Sequence, residues 1–128
     1  MRQLAADAVI LKDGEVLLVK RGTEPFKGMW AIPGGRIEDN ETLEQCCVRE
    51  AKEETGLDIK VERLVGMYSI PSRDPRKVIA AAYLCTVLGG SLNPMPGEIE
   101  KAEWFPLDKV PELASDHGKM LKDALKLK

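Results

Sequence analysis

The sequence predicts an α/β fold, a mixed β-sheet held between helices, and three observations carry the prediction. Two apolar segments flank Asp13-Gly14 and read as an antiparallel hairpin. Residues 42–55, free of glycine and proline, read as a helix set between strands. The apolar run 78–88 is followed by one more strand and a closing amphipathic helix. Strands on both sides of one helix, with a second helix at the end, imply layers of helix on sheet.

Each element has its own warrant. Residues 3–11 are apolar and end at Asp13-Gly14, a strong signal for a two-residue turn; residues 15–21 return through Val16, Leu17, Leu18 and Val19. Residues 22–29 form a loop carrying Pro25, Phe26 and Lys27. Trp30, Ala31 and Ile32 make a short apolar segment closed by Pro33-Gly34-Gly35, where missing side chains leave amides and carbonyls open to a ligand. The helix over 42–55 is rich in Leu, Glu, Gln, Lys and Ala, runs about four turns and stops before Gly56. Residues 59–67 form a strand interrupted at Gly66, and 71–77, PSRDPRK, a polar loop. The run 78–88 reads as a central strand covered on both faces. Loop 89–97 leads to a last strand over 101–105, ended by Pro106, and 110–113 reads as one helical turn. Ser115 is the expected N-cap of a helix to residue 127, with Met120, Leu121, Ala124 and Leu125 inward and lysines late.

Composition bounds the function. The 128 residues suffice for one domain, 1–128, with a real core. A net charge of −2 excludes general attraction to nucleic acid or to an anionic membrane, so any phosphate must be held by local groups and metal. Three cysteines without a CxxC pair give neither a disulfide framework nor a zinc site, and reduced thiols point to the cytoplasm. The charges at Arg2, Asp7, Lys12 and Asp13 argue against a signal peptide, and the longest apolar run falls short of the ~20 residues of a membrane span.

The chemistry concentrates in residues 35–57. At about 100° per residue, Glu50, Glu53 and Glu54 fall on the helix side that carries Leu43, Cys46 and Cys47, while Gln45 and Lys52 point away. Three carboxylates in line with an apolar stripe repel one another and lose hydration, at a cost of several kcal/mol per buried charge. Arg49, four residues before Glu53, supplies one compensating charge. The remainder suits a hard divalent ion with oxygen ligands, Mg²⁺ or Mn²⁺. Helix phase alone leaves open a solvated acidic face stitched by i,i+4 pairs.

The spacing Gly35, Glu41, Arg49-Glu50, Glu53-Glu54, Gly56-Leu57 resembles the Nudix box, G-x5-E-x7-R-E-U-x-E-E-x-G-U, with Ala51 a small residue at the first aliphatic place. The flanks LLVKRGTEPFKGMWAIPGG and AEWFPLDKVPEL are similar to the family's run into the box and exit, so the likeness covers nearly the whole chain. It implies a Nudix-type α/β/α sandwich and metal-dependent hydrolysis of a diphosphate bond in a nucleoside diphosphate linked to another moiety. Carried over, Glu50, Glu53 and Glu54 are metal ligands with the carbonyl of Gly35 or of Gly34, Arg49 orients Glu53, and Glu41 holds the loop against the helix. The general base is Glu53 or a carboxylate in the loop before the last strand, Glu98 ahead of Glu100.

The segment MYSIPSRDPRKVIAAAYL and the pair Asp116-His117 are similar to ADP-ribose pyrophosphatase-like members, which implies ADP-ribose as substrate with AMP and ribose 5-phosphate as products. Arg73 and Arg76 suit bidentate phosphate contact, against the alternative of solvent-exposed loop arginines, and Arg21 and Arg36 flank the diphosphate site. Phe26 and Tyr68 are candidates for base stacking but fit core packing better, and His117 reads as a structural residue at a helix end. The alternatives are a MutT-type triphosphate pyrophosphohydrolase for oxidised nucleotides, and a non-catalytic nucleotide-sensing module. The partner implied is a nucleotide-type small molecule, with a homodimer open through the first strand or the edge at Val78.

Overall fold

The computed structural model describes residues 1–128. Its elements are β1 (Leu4–Lys12), β2 (Glu15–Arg21), β3 (Trp30–Ala31), β4 (Gly34–Arg36), α1 (Leu43–Thr55), β5 (Leu57–Tyr68), β6 (Ile79–Gly90), β7 (Ile99–Pro106) and α2 (His117–Leu125). The seven strands form one sheet in the order β3-β2-β1-β6-β5, with β4 added beside β1 and β7 beside β2. β1 and β6 are parallel and the other pairs antiparallel, so the sheet is mixed as expected.

β1 shows how the layers form. Its side chains alternate between faces: Ala6, Ala8 and Ile10 pack with Cys46, Cys47 and Ala51 of α1, while Val9 and Leu11 pack with Met120, Leu121 and Ala124 of α2. The two helices therefore cover opposite faces. Asp13 and Gly14 both have left-handed backbone (φ 53° and 76°), the I′ geometry that returns the chain from Lys12 to Glu15. α1 starts in a capping box, with Thr42 Oγ1 accepting from the Gln45 amide at 3.1 Å and Gln45 Oε1 accepting from the Thr42 amide at 2.9 Å. Ala51, the small residue in the box, is fully buried against β1.

Three expectations are corrected, and one is refined. Residues 110–113 form no helical turn, because Leu113 bridges to Trp30 and the Ala114 amide donates to the Trp30 carbonyl at 2.8 Å, while Pro111 has no amide to give a helix. Ser115 does not cap α2: its φ is 54°, and its hydroxyl donates to the Arg73 carbonyl, so the helix begins at His117. Residues 71–77 are the polar loop expected, with Pro71, Ser72, Pro75, Arg76 and Lys77 exposed, but Asp74 is 5 % exposed and the Arg73 side chain 4 %, so these two turn inward. Neither β1 nor β6 has an edge to offer a second copy, because each is paired on both sides; the long free edge belongs to β5. No helix is long and apolar enough to cross a membrane.

Candidate active site

A cleft of about 320 Å³ opens where β1, β4 and the N-terminus of α2 meet, with an acidic wall and a basic one. The acidic wall depends on two residues without side chains. Gly34 and Gly35 of β4 pair with Asp7 and Ala6 of β1. A Cβ on Gly34 would overlap the Asp7 carboxylate, and a Cβ on Gly35 the Glu50 carboxylate. Only glycine lets both carboxylates approach the strand so closely. Glu54, 8 % exposed, accepts a hydrogen bond from the Gly34 amide at 3.1 Å.

Arg49 is the hub behind this wall. It donates to both carboxylate oxygens of Glu41 at 2.6 and 2.9 Å, to Glu50 at 2.8 Å and to Glu53 at 3.2 Å. Glu41 in turn accepts the Glu38 amide at 2.9 Å, which ties the loop before α1 to the helix. Burial pushes Asp7 up to about 7, raises Glu50, and raises Glu54 well above the usual carboxylate range with the Glu50 charge as second cause. In all three the lost hydration of the charged form comes first, so this wall favours an added cation.

The basic wall carries Arg21, Arg36, Arg73 and Arg76. Arg21 donates through Nε to the Pro25 carbonyl at 2.7 Å, and burial followed by the nearby charge of Arg76 lowers its pKa. Two guanidinium groups repelling each other beside a cleft form a site for an anion. Arg76 grips Asp74 at 3.0 and 2.8 Å, and Arg36 reaches Gln3 at 2.6 Å. Arg73 differs from the exposed loop arginine the sequence allows. It makes a bidentate pair with Asp116 at 2.9 and 2.8 Å and donates to the Val78 carbonyl at 2.9 Å, so most of its donors are committed inside the protein.

The remaining candidates divide. Glu98, in the loop before β7, lines the cleft; Glu100 does not, and sits 3.9 Å from Lys20. Glu53 lies outside the cleft, lining a separate depression with Lys52, Asn93 and Met95. Phe26 and Tyr68 do not line the cleft: Phe26 packs on Val19 and Ala31, and the Tyr68 hydroxyl donates to Asp123 at 2.7 Å. His117 accepts the Ile32 amide on Nδ1 at 2.9 Å, which fixes the start of α2 to the segment between β3 and β4. Burial lowers its pKa to about 4, so the ring is neutral and carries its hydrogen on Nε2.

Asp7 is the cleft residue that sequence reasoning missed. Its one signal is a lone acid inside the apolar run LAADAVIL, where a strand covered by helices should bury it.

No three His, Cys, Asp or Glu side chains are already gathered into a cation cage. The donor set nevertheless fits a divalent ion: hard carboxylate oxygens of Glu50 and Glu54 beside the Gly35 backbone, with Arg49 paired to Glu50 but to no oxygen of Glu54.

A family profile described as NUDIX domain matches residues 1–124. The chain belongs to the Nudix family. It is 48% identical over 126 residues to an ADP-ribose pyrophosphatase of Methanocaldococcus jannaschii, covering 98% of this chain and 74% of that protein. It is 36% identical over 105 residues to the NAD-capped RNA hydrolase NudC of Vibrio atlanticus, covering 82% of this chain but 38% of the relative. Among solved structures, the NUDIX domain of Shewanella oneidensis NrtR, crystallised with ADP ribose, superposes with a TM-score of 0.87 at 29% identity, over 99% of this chain and 88% of that one. This Nudix hydrolase thus shares its whole architecture with family members, and three glutamates of the box, Glu50, Glu53 and Glu54, fall on the helix, α1, that packs under the cleft.

Proposed function

We propose that this Nudix hydrolase cleaves the diphosphate of a nucleoside diphosphate joined to a sugar, ADP-ribose foremost, releasing AMP and ribose 5-phosphate. The observation that carries the reading is the division of one cleft into a carboxylate wall on β1 and α1 and an arginine wall opposite. A diphosphate bridged to a cation presents the complementary pattern. The relative at 48% identity, named an ADP-ribose pyrophosphatase, supports the substrate class.

Glu50, Glu54 and the Gly35 carbonyl would hold Mg²⁺ or Mn²⁺ in the cleft, and Glu53, outside its lining but bonded to the Arg49 that also holds Glu50, would join them from the rim. Bound there, the ion supplies charge neutralisation of the diphosphate oxygens and a lowered pKa for attacking water. The chain's own groups do the rest. Arg21 and Arg76 bind phosphate oxygens and orient the anhydride, with Arg36 at the mouth. Glu98 takes the proton from the attacking water, a role we favour for it over Glu53 because Glu98 lines the cleft. Arg49 positions Glu50 and Glu53, and Glu41 positions Arg49. Arg73 acts on the substrate through α2, by holding Asp116 beside His117. Three free, buried cysteines fit a cytoplasmic protein.

A hydrolysis panel of ADP-ribose, NADH, diadenosine polyphosphates, dGTP and 8-oxo-dGTP with Mg²⁺ or Mn²⁺ tests the reading. AMP from ADP-ribose as the fastest reaction, abolished by EDTA and restored by metal, is expected. Pyrophosphate from a triphosphate as the fastest would overturn the substrate and leave the site; turnover in EDTA would overturn the mechanism. Binding of ADP-ribose without turnover of any panel member would favour a nucleotide-sensing module instead.

A further inference from the structure

Two polar side chains from opposite ends of the chain line the cleft, each with a hydrogen-bonding atom that no protein group meets. Asp7 is 6 % exposed as a residue, takes no side-chain hydrogen bond from the protein, and lines the cleft. It lies on the β1 face that α2 covers, the face of Val9 and Leu11. His117, the first residue of α2, lines the same cleft. Its Nδ1 is occupied by the Ile32 amide at 2.9 Å, which leaves the Nε2–H a donor with no acceptor in the protein. Neither atom is sealed from the cleft, since no fully buried side-chain polar atom lacks a partner, so both can exchange water for a ligand. A ligand group that both donates and accepts satisfies them.

We propose that Asp7 and His117 form a subsite that recognises a sugar hydroxyl of the substrate, the carboxylate accepting its hydrogen and Nε2–H donating to its oxygen. The inference rests on the proposed function for the bond cleaved and adds the chemistry of the group beside it. Two features favour a sugar over a nucleobase. No phenylalanine, tyrosine or tryptophan lines the cleft, so it offers no stacking platform for a base. Around Asp7 the walls are small: Ala5 and Ala80, paired across β1 and β6, and Gly34 leave room at the floor. The subsite's geometry is braced from behind, since Arg73 pins Asp116 at 2.9 and 2.8 Å and so fixes where α2 begins. Asp7 is itself set by the Asp7–Gly34 pairing of β1 and β4.

The test compares ADP-ribose with two analogues, adenosine diphosphate methyl ester, which lacks the terminal ribose, and 2′,3′-dideoxyadenosine diphosphate ribose, which lacks the adenosine diol. A site built to hydrogen-bond a hydroxyl rejects the analogue without it. One of the two should therefore lose at least about 10-fold in kcat/KM in the wild type, and which one loses identifies the ribose. Asp7→Asn and His117→Phe should each lower kcat/KM for ADP-ribose about 10- to 100-fold, the size of one hydrogen bond to a charged or buried partner, and leave that analogue unchanged. An equal loss on ADP-ribose and both analogues would overturn the subsite and move Asp7 into the diphosphate machinery, as would no loss on any. Dissociation constants for the three compounds, measured by calorimetry in EDTA, need no turnover. They should show the same discrimination even if the hydrolysis panel fails, so the subsite and the reaction stand or fall separately. Circular dichroism melts of both variants confirm folding; should His117→Phe not fold, Asp7→Asn with the two analogues decides alone.

Discussion

Replacing Arg73 with alanine separates two accounts of that side chain, a surface arginine waiting for phosphate and an internal brace. An exposed arginine away from special features costs within about 0.5 kcal/mol when removed. The structure argues for far more. The side chain is 4 % exposed, and it donates to both oxygens of Asp116 at 2.9 and 2.8 Å and to the Val78 carbonyl at 2.9 Å. Breaking a buried pair by removing one partner costs about 3–5 kcal/mol, because the other charge is left uncompensated. Asp116 keeps 24 % of its side-chain exposure, so water relieves part of that penalty. A loss of about 2–4 kcal/mol follows. With an unfolding entropy near 0.27 kcal/mol/K for 128 residues, at about 2.1 cal/mol/K per residue, this lowers Tm by about 7–15 °C. Thermal melts by circular dichroism measure it directly. The double variant Arg73→Ala with Asp116→Ala should be no less stable than Arg73→Ala alone, since the orphaned charge is gone. A melting point within about 2 °C of wild type for Arg73→Ala would refute the brace and return Arg73 to the solvent.

Gly35→Ala should cut kcat about 100-fold or more with little change in far-ultraviolet circular dichroism, because the new Cβ meets the Glu50 carboxyl group and displaces it or β4; near-normal turnover would count against that contact. The hydrogen-bonded Arg49 guanidinium holds Glu41 down at about 2 against an ordinary 4.5. The stability this carboxylate contributes is therefore complete above pH 4.5 and lost as pH falls towards 2. Glu41→Gln should be less stable than wild type at neutral pH, with the difference in urea midpoint closing over that acid window; a pH-independent difference would show that the charge is not its source. Thr42→Ala removes the capping-box oxygen of α1 at a cost of about 1 kcal/mol, so Tm should fall by about 4 °C, and an unchanged Tm would mean that the cap carries no stability.

Most of the elements were legible because their signals are local. The apolar runs of β1 and β2 either side of Asp13-Gly14, the glycine- and proline-free stretch that became α1 and the continuous apolar run of β6 each depend on a residue's near neighbours. The spacing of Gly35, Glu41, Arg49, Glu50, Glu53 and Glu54 is likewise a property of one loop and one helix, and the resemblance it carries implied that Glu41 ties the loop to the helix, where the structure gives it Arg49 as partner. Where local preference met a distant partner, it lost. Residues 110–113 have the composition of a helical turn, yet the backbone of Trp30 claims Leu113 and Ala114. Ser115 has the chemistry of a cap, yet the Arg73 carbonyl takes its hydroxyl.

The sequence by itself thus determined the fold class, the family and the acidic helix, because apolar runs, turn signals, helix phase and the box spacing are written over short distances. Tertiary structure alone decided which polar residues share the cleft: Asp7 from the first strand, Arg73 turned from loop to interior, Glu98 brought inside and Glu53 left outside, and His117 at the far end of the chain. The reason is physical. Whether a charge is buried or hydrated depends on what the sheet order and helix packing set against it, and those neighbours lie scores of residues away, where no local pattern reaches.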